Sequence, residues 1–192
     1  LLLQRVRESL IKEHQLKIEI GIVIRQDTFE NQVKTIYLGI GSNLGNRKIN
    51  LNIAKFMLSK CNIKILESSS FYESLSWPDP NKPKFLNIVI KIRTDLPPIN
   101  LLHKCKEIEK NLGRKKTKKN APRVCDIDII DYGKIKLNKD IILPHPRMHN
   151  RNFVLLPLFE INKNWIHPTL KKHIKSLILS LSNKDIRTIK QI

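Results

Sequence analysis

The sequence contains no apolar run approaching the roughly 20 residues that a membrane-spanning helix needs. Its opening Leu1-Leu2-Leu3 is too short for the apolar region of a secretory signal, and no small-residue cleavage site follows. Cysteine is scarce: Cys61, Cys105 and Cys125 have neither paired nor metal-type spacing, and each sits in an apolar pattern. Buried free thiols in a reducing compartment are therefore expected, and with them a cytoplasmic location. No internal repeat is present. Acidic residues are few, 17 against 36 Lys and Arg, for a formal charge of +19.

That surplus of positive charge points to an anionic partner such as a nucleotide, a nucleic acid or an anionic lipid. It does not mark a disordered polycation, because 41% of the residues are hydrophobic and can build a core. The basic residues are spread along a chain rich in Lys, Asn and Ile, as an AT-rich coding sequence would give. The bulk charge is thus read as compositional, and only the Arg114–Arg123 cluster as functional. A length of 192 residues suits one domain plus extensions. The first residue is Leu, which fits a fragment, an alternative start or the end of a fused upstream domain.

Hydrophobic periodicity and turn residues divide the chain. Residues 1 to 34 read as an N-terminal extension: a charged amphipathic helix around Arg5–His14, then an apolar run, Ile18–Ile24. Ile36–Gly39 reads as a strand, entering the turn-rich Gly41-Ser42-Asn43-Leu44-Gly45-Asn46. A helix from about Arg47 to Lys60 follows, with Ile49, Ile53, Phe56 and Met57 at helical spacing. Ile63–Tyr72 and Phe85–Thr94 read as strands, separated by a loop holding Pro78, Pro80 and Pro83. Pro97-Pro98 suit a helix start, Leu101, Leu102, Cys105, Ile108 and Leu112 line one face, and Gly113 ends it. The basic loop Arg114–Pro122 leads to a strand, Arg123–Tyr132, then a weaker one, Lys134–Leu137. A proline-bracketed loop, Leu143–Met148, precedes a short helix over Asn150–Glu160. The order β-α-β-β-α-β predicts an α+β, ferredoxin-like core with a mostly antiparallel sheet and helices on one face. Residues 170–192 are expected to form a helical tail, with Leu177, Ile178 and Leu181 on one side.

The strand Ala121-Pro122-Arg123-Val124-Cys125-Asp126-Ile127-Asp128-Ile129-Ile130 carries the most chemistry. Residues two apart in a strand share a face, so Asp126 and Asp128 project side by side while Cys125, Ile127 and Ile129 turn to a core. Adjacent carboxylates repel unless a cation lies between them. Hard oxygen ligands beside a Lys/Arg-rich loop suggest Mg²⁺ carrying a polyphosphate.

Further motifs occur in order: Gly41-Ser42-Asn43-Leu44-Gly45, Ser69-Ser70-Phe71-Tyr72, Phe85-Leu86-Asn87, Glu109 with Gly113-Arg114, Pro122-Arg123 with Asp126 and Asp128, and Leu143-Pro144-His145-Pro146-Arg147-Met148 with Asn150-Arg151 and Phe153. Together they resemble the 6-hydroxymethyl-7,8-dihydropterin pyrophosphokinases of the folate pathway, over roughly Thr35 to Pro168. The resemblance implies a pyrophosphokinase domain over 35–169 with the ferredoxin-like fold. It also implies a reaction in which the pterin hydroxymethyl oxygen attacks the β-phosphorus of ATP, giving AMP and the pterin diphosphate.

By the same resemblance, Asp126 and Asp128 are metal ligands for two Mg²⁺ ions, and Arg114, Arg123 and the aspartates are the catalytic set. Lys116, His145, Arg151 and Glu109 match nucleotide-binding positions, and Arg147 reads equally as ligand or surface residue. Phe85 and Phe153 match the residues that sandwich the pterin, Asn87 the amide that reads its edge, and Ser74 and Trp77 the loop lining that pocket. The chain departs from the family at Val124-Cys125, at Asn120-Ala121, which lacks an aromatic, and at Pro146. ATP and the hydroxymethyl-dihydropterin are the expected partners, with no membrane, no nucleic acid and a monomeric state.

An RNA-binding module on the same sheet type is the alternative. It lacks support from the sequence, which has no Lys/Arg-Gly-Phe/Tyr-type stacking motif and places carboxylates where RNA phosphate would lie. A catalytically dead relative is disfavoured by the presence of both aspartates, both loop arginines, His145 and Arg151.

Overall fold

A computed structural model of the chain describes residues 34–192 except Lys116 and Lys119. The expectations for residues 1–33 lie outside the described residues. The three longest strands lie side by side in a six-stranded sheet, with β5 at its edge: β1 (Ile36–Ser42), β4 (Phe85–Arg93) and β5 (Asp126–Tyr132). β1 lies between the other two, antiparallel to both. β2 (Lys64–Ser68) and β3 (Tyr72–Ser74) share the far edge of β4, one against each half. The single strand expected over Ile63–Tyr72 is thus two. The backbone between them turns out so that Ser69 Oγ accepts from Val89 N–H at 3.0 Å.

Helix α1 (Arg47–Lys60) starts where the side chain of Asn46 accepts from Ile49 N–H at 3.1 Å, the usual N-cap bond. Its buried face is Leu51, Ala54 and Leu58. The stripe read from the sequence at helical spacing is largely outside: Ile49 is 52% and Phe56 61% exposed. Both stripes have helical spacing, so periodicity alone cannot choose between them. Ala54, fully buried, lets the helix approach the sheet closely.

Helix α2 (Pro98–Asn111) begins on Pro97-Pro98 and buries Leu101, Cys105 and Ile108. It ends in a Schellman motif: Gly113 N–H donates to Lys110 C=O (2.9 Å) and Arg114 N–H to Glu109 C=O (3.0 Å). The positive φ of Gly113, 92°, makes this possible and fixes where Arg114 leaves the helix.

α1 and α2 cover one sheet face, packing on Leu38, Ile40, Ile88, Ile90 and Ile127. Helices α3 (Asn152–Ile161) and α4 (Ile174–Leu179) cover part of the other face with Tyr37, Val89 and Ile130, so helices flank both faces rather than one. A short hairpin, β6 (Leu137–Asn138) and β7 (Ile142–Leu143), follows β5. The tail is not purely helical. After α5 (Asn183–Arg187) it ends in β8 (Ile189–Gln191), which pairs with β3 and protects its edge. No described helix is long and apolar enough to cross a membrane. All three cysteines are free, and burial pushes the Cys105 and Cys125 thiols up to about 12, so they serve as core residues.

Candidate active site

Near the end of the sheet where β1 meets its glycines, the second face is not covered by α3 and α4. Tyr37 on β1 packs against those helices, but the next residues on that face are Gly39 and Gly41. A Cβ at Gly41 would lie 2.9 Å from Asn87 Oδ1 and 3.3 Å from Phe85 Cδ1, so the missing side chain makes room for both. The result is a cavity of about 920 Å³ on the sheet, walled by the loops after β3 and α2, by His145 and by the start of α3.

The strand alternation read from sequence holds at its floor. Ile127 and Ile129 are buried in the core on the α1/α2 side, whereas Asp126 and Asp128 line the cavity. The alternation then breaks. The register of β1 on β5 skips Ile130, a bulge that leaves Ile130 and Asp131 both on the α3 side. The Ile130 carbonyl instead accepts from His145 N–H at 2.9 Å, which brings the imidazole over Asp128.

Asp126 is clasped by two arginines. Arg114 Nη1 donates to Oδ1 and Arg123 Nη2 to Oδ2, the latter at 2.7 Å. Burial works to raise its pKa, but Arg123 and Arg114 outweigh burial and hold the carboxyl below its usual range. Asp128 is the more open of the pair, 38% exposed against 18%, with His145 Nε2 at 3.7 Å and Arg151 Nη1 at 3.6 Å. Burial first, then Arg151 and Arg147, lowers the His145 pKa against the pull of Asp128. Its Nδ1 accepts from Arg147 N–H (3.2 Å), so in the neutral ring Nε2 carries the proton and faces the site. Arg123 and Arg151 each keep a buried Nε–H without an acceptor among the described residues. Buried donors of this kind call for an acceptor, and a phosphate oxygen supplies one.

Glu109 does not line the cavity. It is 2% exposed, accepts from the Ile127 N–H between the two aspartates at 2.7 Å, and pairs with Arg114 (2.7 Å) and Lys106 (2.8 Å). It ties the end of α2 to β5 behind Arg114. Lys106, unremarked in the sequence reading, lines the cavity, and its one signal was the i,i+3 spacing to Glu109. Arg147 and Lys118 also line it, whereas Lys116 lies outside the described residues.

The aromatic half sits beside the acidic half. Phe85, Trp77 and Phe153 line the same cavity with Ser74 and Asn87. Asn87 Nδ2 donates to Ser74 Oγ at 3.0 Å, so its position is held and its Oδ1 stays available as an acceptor. Each ring is met by a guanidinium: Arg123 over Phe85 (5.2 Å), Arg151 over Phe153 (5.4 Å), and Arg147 and Arg151 over Trp77 (5.3 and 5.4 Å). Except for Arg151 with Phe153, these contacts join residues far apart in the chain, and the sequence could not show them.

Two carboxylates with hard oxygens suit Mg²⁺, which needs one or two such ligands plus substrate phosphates. No group of three or more metal-binding side chains exists among the described residues, so an all-protein metal cage is not formed by them.

The fold is a mixed helix and antiparallel sheet that carries an arginine-flanked carboxylate pair, a set of groups suited to a metal-bound polyphosphate. The chain belongs to the 7,8-dihydro-6-hydroxymethylpterin-pyrophosphokinase family, whose model matches residues 37–163. It is 42% identical over 142 residues to the 2-amino-4-hydroxy-6-hydroxymethyldihydropteridine pyrophosphokinase of Aquifex aeolicus, covering 73% of this chain and 88% of that protein. It is 39% identical over 164 residues to the folic acid synthesis protein fol1 of Pneumocystis carinii, covering 83% of this chain but 22% of that protein. The chain thus spans about a fifth of such larger relatives. A crystal structure of Plasmodium falciparum HPPK-DHPS with pteroate shares the fold, with a TM-score of 0.64 at 16% identity over 85% of this chain and 47% of that one.

Proposed function

We propose that this cavity transfers a diphosphoryl group from ATP to 6-hydroxymethyl-7,8-dihydropterin, releasing AMP, as a step in folate synthesis. The observation that carries the reading is the meeting of Asp126 and Asp128, flanked by Arg114, Arg123 and Arg151, with Phe85, Phe153 and Asn87 in one cavity. One half suits a polyphosphate, the other a flat heterocycle with a polar edge.

The hydroxymethyl oxygen attacks the β-phosphorus, its proton passes to solvent, and the bond from that phosphorus to the α,β-bridging oxygen breaks to leave AMP. Asp126 and Asp128 would hold Mg²⁺, two ions in our reading; the metal neutralises phosphate charge when bound. Arg114, Arg123, Arg151 and the Nε2–H of neutral His145 supply donors to the phosphate oxygens. Lys116 is proposed as a further contact on the loop, and Glu109 acts by holding Arg114. Phe85 and Phe153 stack on the heterocycle, with Trp77 at the rim, and Asn87 with Ser74 binds its edge. Positioning and charge supply the rate, so no dedicated general base is assigned.

We also infer a ferredoxin-like core, supported by the neighbour order β5-β1-β4-β2 and by α1 and α2 sharing one face. A monomeric domain over 35–169 and a reducing, cytoplasmic setting are part of the same reading; the free buried thiols favour the latter. The RNA-binding alternative has no support, because the sheet face it would use holds carboxylates and the family is now known.

The test is AMP formation from ATP with the hydroxymethyl-dihydropterin. Turnover that needs both substrates and Mg²⁺ supports the reading, and no AMP at saturating concentrations of all three overturns it.

A further inference from the structure

Asn43 sits outside the cavity yet bonds to two of its walls. It is 3% exposed. Its Oδ1 accepts from Arg123 N–H at 2.7 Å, its own N–H donates to Arg123 C=O at 3.1 Å, and its Nδ2 donates to Pro83 C=O at 3.0 Å. The first two bonds hold the backbone of Arg123 from both sides. The third holds the end of the loop after β3, two residues before Phe85 opens β4. Neither segment has a regular strand partner at that point, so these bonds replace a sheet ladder.

We infer that Asn43 is a positioning residue that couples the polyphosphate side of the cavity to the heterocycle side. Its placement depends on the turn around it. Asn50 Nδ2 donates to Ser42 Oγ (3.2 Å) and to Leu44 C=O (2.9 Å), which ties the turn to α1. The Asn43 amide provides both the acceptor for Arg123 and the donor for Pro83 from one position. Aspartate keeps the acceptor alone; alanine keeps neither. The two substitutions therefore separate the two couplings. The kinetic part of this inference rests on the pyrophosphokinase reading.

The experiment compares the wild type, Asn43→Asp and Asn43→Ala in the full chain, each checked for folding by thermal unfolding. Steady-state kinetics varies each substrate in turn. Hydrogen exchange at the Arg123 amide is followed by NMR without substrates. Asn43→Ala is expected to lower kcat about 10- to 100-fold and to raise the pterin KM about 10-fold. Asn43→Asp is expected to keep kcat within about 3-fold while raising the pterin KM comparably. Exchange at the Arg123 amide should quicken at least about 10-fold in Asn43→Ala and stay near wild type in Asn43→Asp. Unchanged exchange in Asn43→Ala overturns the proposal, as does a kcat loss in Asn43→Asp equal to that in Asn43→Ala. If Asn43→Ala does not fold, Asn43→Asp with wild-type kcat and raised pterin KM still supports it, and an unchanged KM refutes it. A wild type that forms no AMP overturns the reading of function instead, and the exchange rates still decide for Asn43.

Discussion

The guanidinium of Arg123 lies over the ring of Phe85, 5.2 Å from its centroid, while its Nη2 bonds Asp126 at 2.7 Å. One side chain thus touches both halves of the cavity. Under the proposed function, a heterocycle stacked on Phe85 and a polyphosphate held by the guanidinium would both meet this residue.

Asp128 is the more accessible carboxylate of the pair, and among the described residues its side chain has no ion-pair contact shorter than its 3.6 Å approach to Arg151. Asp128→Ala should cost about 10²- to 10³-fold in kcat, the range for loss of one preorganised electrostatic contact. The fold should survive, since Asp128 makes no close side-chain hydrogen bond among the described residues, although the largely buried Arg151 loses its nearest carboxylate. Steady-state AMP production and a thermal melt check this; a near-normal rate would remove Asp128 from the metal site.

Arg114 faces both Asp126 and the buried Glu109. Arg114→Ala should slow turnover more than it weakens pterin binding. It should also lower stability by about 1–3 kcal/mol, because Glu109 loses a partner while staying buried. Lys106 and the Ile127 N–H still satisfy that carboxylate in part, which keeps the loss in this range. Denaturant titration and separate measurement of kcat and pterin Kd decide it.

Gly41→Ala puts a methyl group 2.9 Å from Asn87 Oδ1. The amide is held by Ser74 Oγ and cannot yield without losing that bond. The expected outcome is a pterin KM raised about 10- to 100-fold with little change in the ATP KM, matching a loss of about 1.4–2.7 kcal/mol. Equal changes in both KM values would count against the assignment of Asn87 to the heterocycle.

His167 is buried, its Nδ1 accepts from the Thr169 and Leu170 N–H groups, and its Nε2 has no partner among the described residues. Burial, with help from His149, pushes its pKa down to about 4. The unfolded state therefore binds a proton below about 6.5 that the folded state refuses until about 4. The stabilisation is complete above pH 6.5 and is lost as pH falls through that window. At pH 5 the loss should be on the order of 1–2 kcal/mol, seen as a falling urea midpoint that a His167→Gln variant does not share.

Much of the architecture could be read from local chemistry. Pro97-Pro98 and Gly113 bracket α2 because a missing N–H and a positive φ are tolerated only at helix ends. Asp126 and Asp128 share a face because side chains alternate along a strand. Other features had no local signal. The choice of the Leu51–Ala54–Leu58 face on α1 over its apolar rival was made by the sheet beneath it. β8 is a strand because the edge of β3 offers unpaired backbone groups. Glu109, matched by resemblance to a nucleotide-binding position, is instead buried against Arg114 and the Ile127 N–H.

Strand alternation, caps and an ordered set of motifs made the elements, the carboxylate pair and the family legible in the chain alone, since each rests on neighbours within a few residues. What held Asn43 to Arg123 and Pro83 depended on contacts across 40 to 80 positions of sequence, and the pairing of Arg114 with Asp126 and of Arg151 with Asp128 on how the flanking loops fold back over β5. Such contacts are set by how whole elements pack, and packing is a property of the assembled fold.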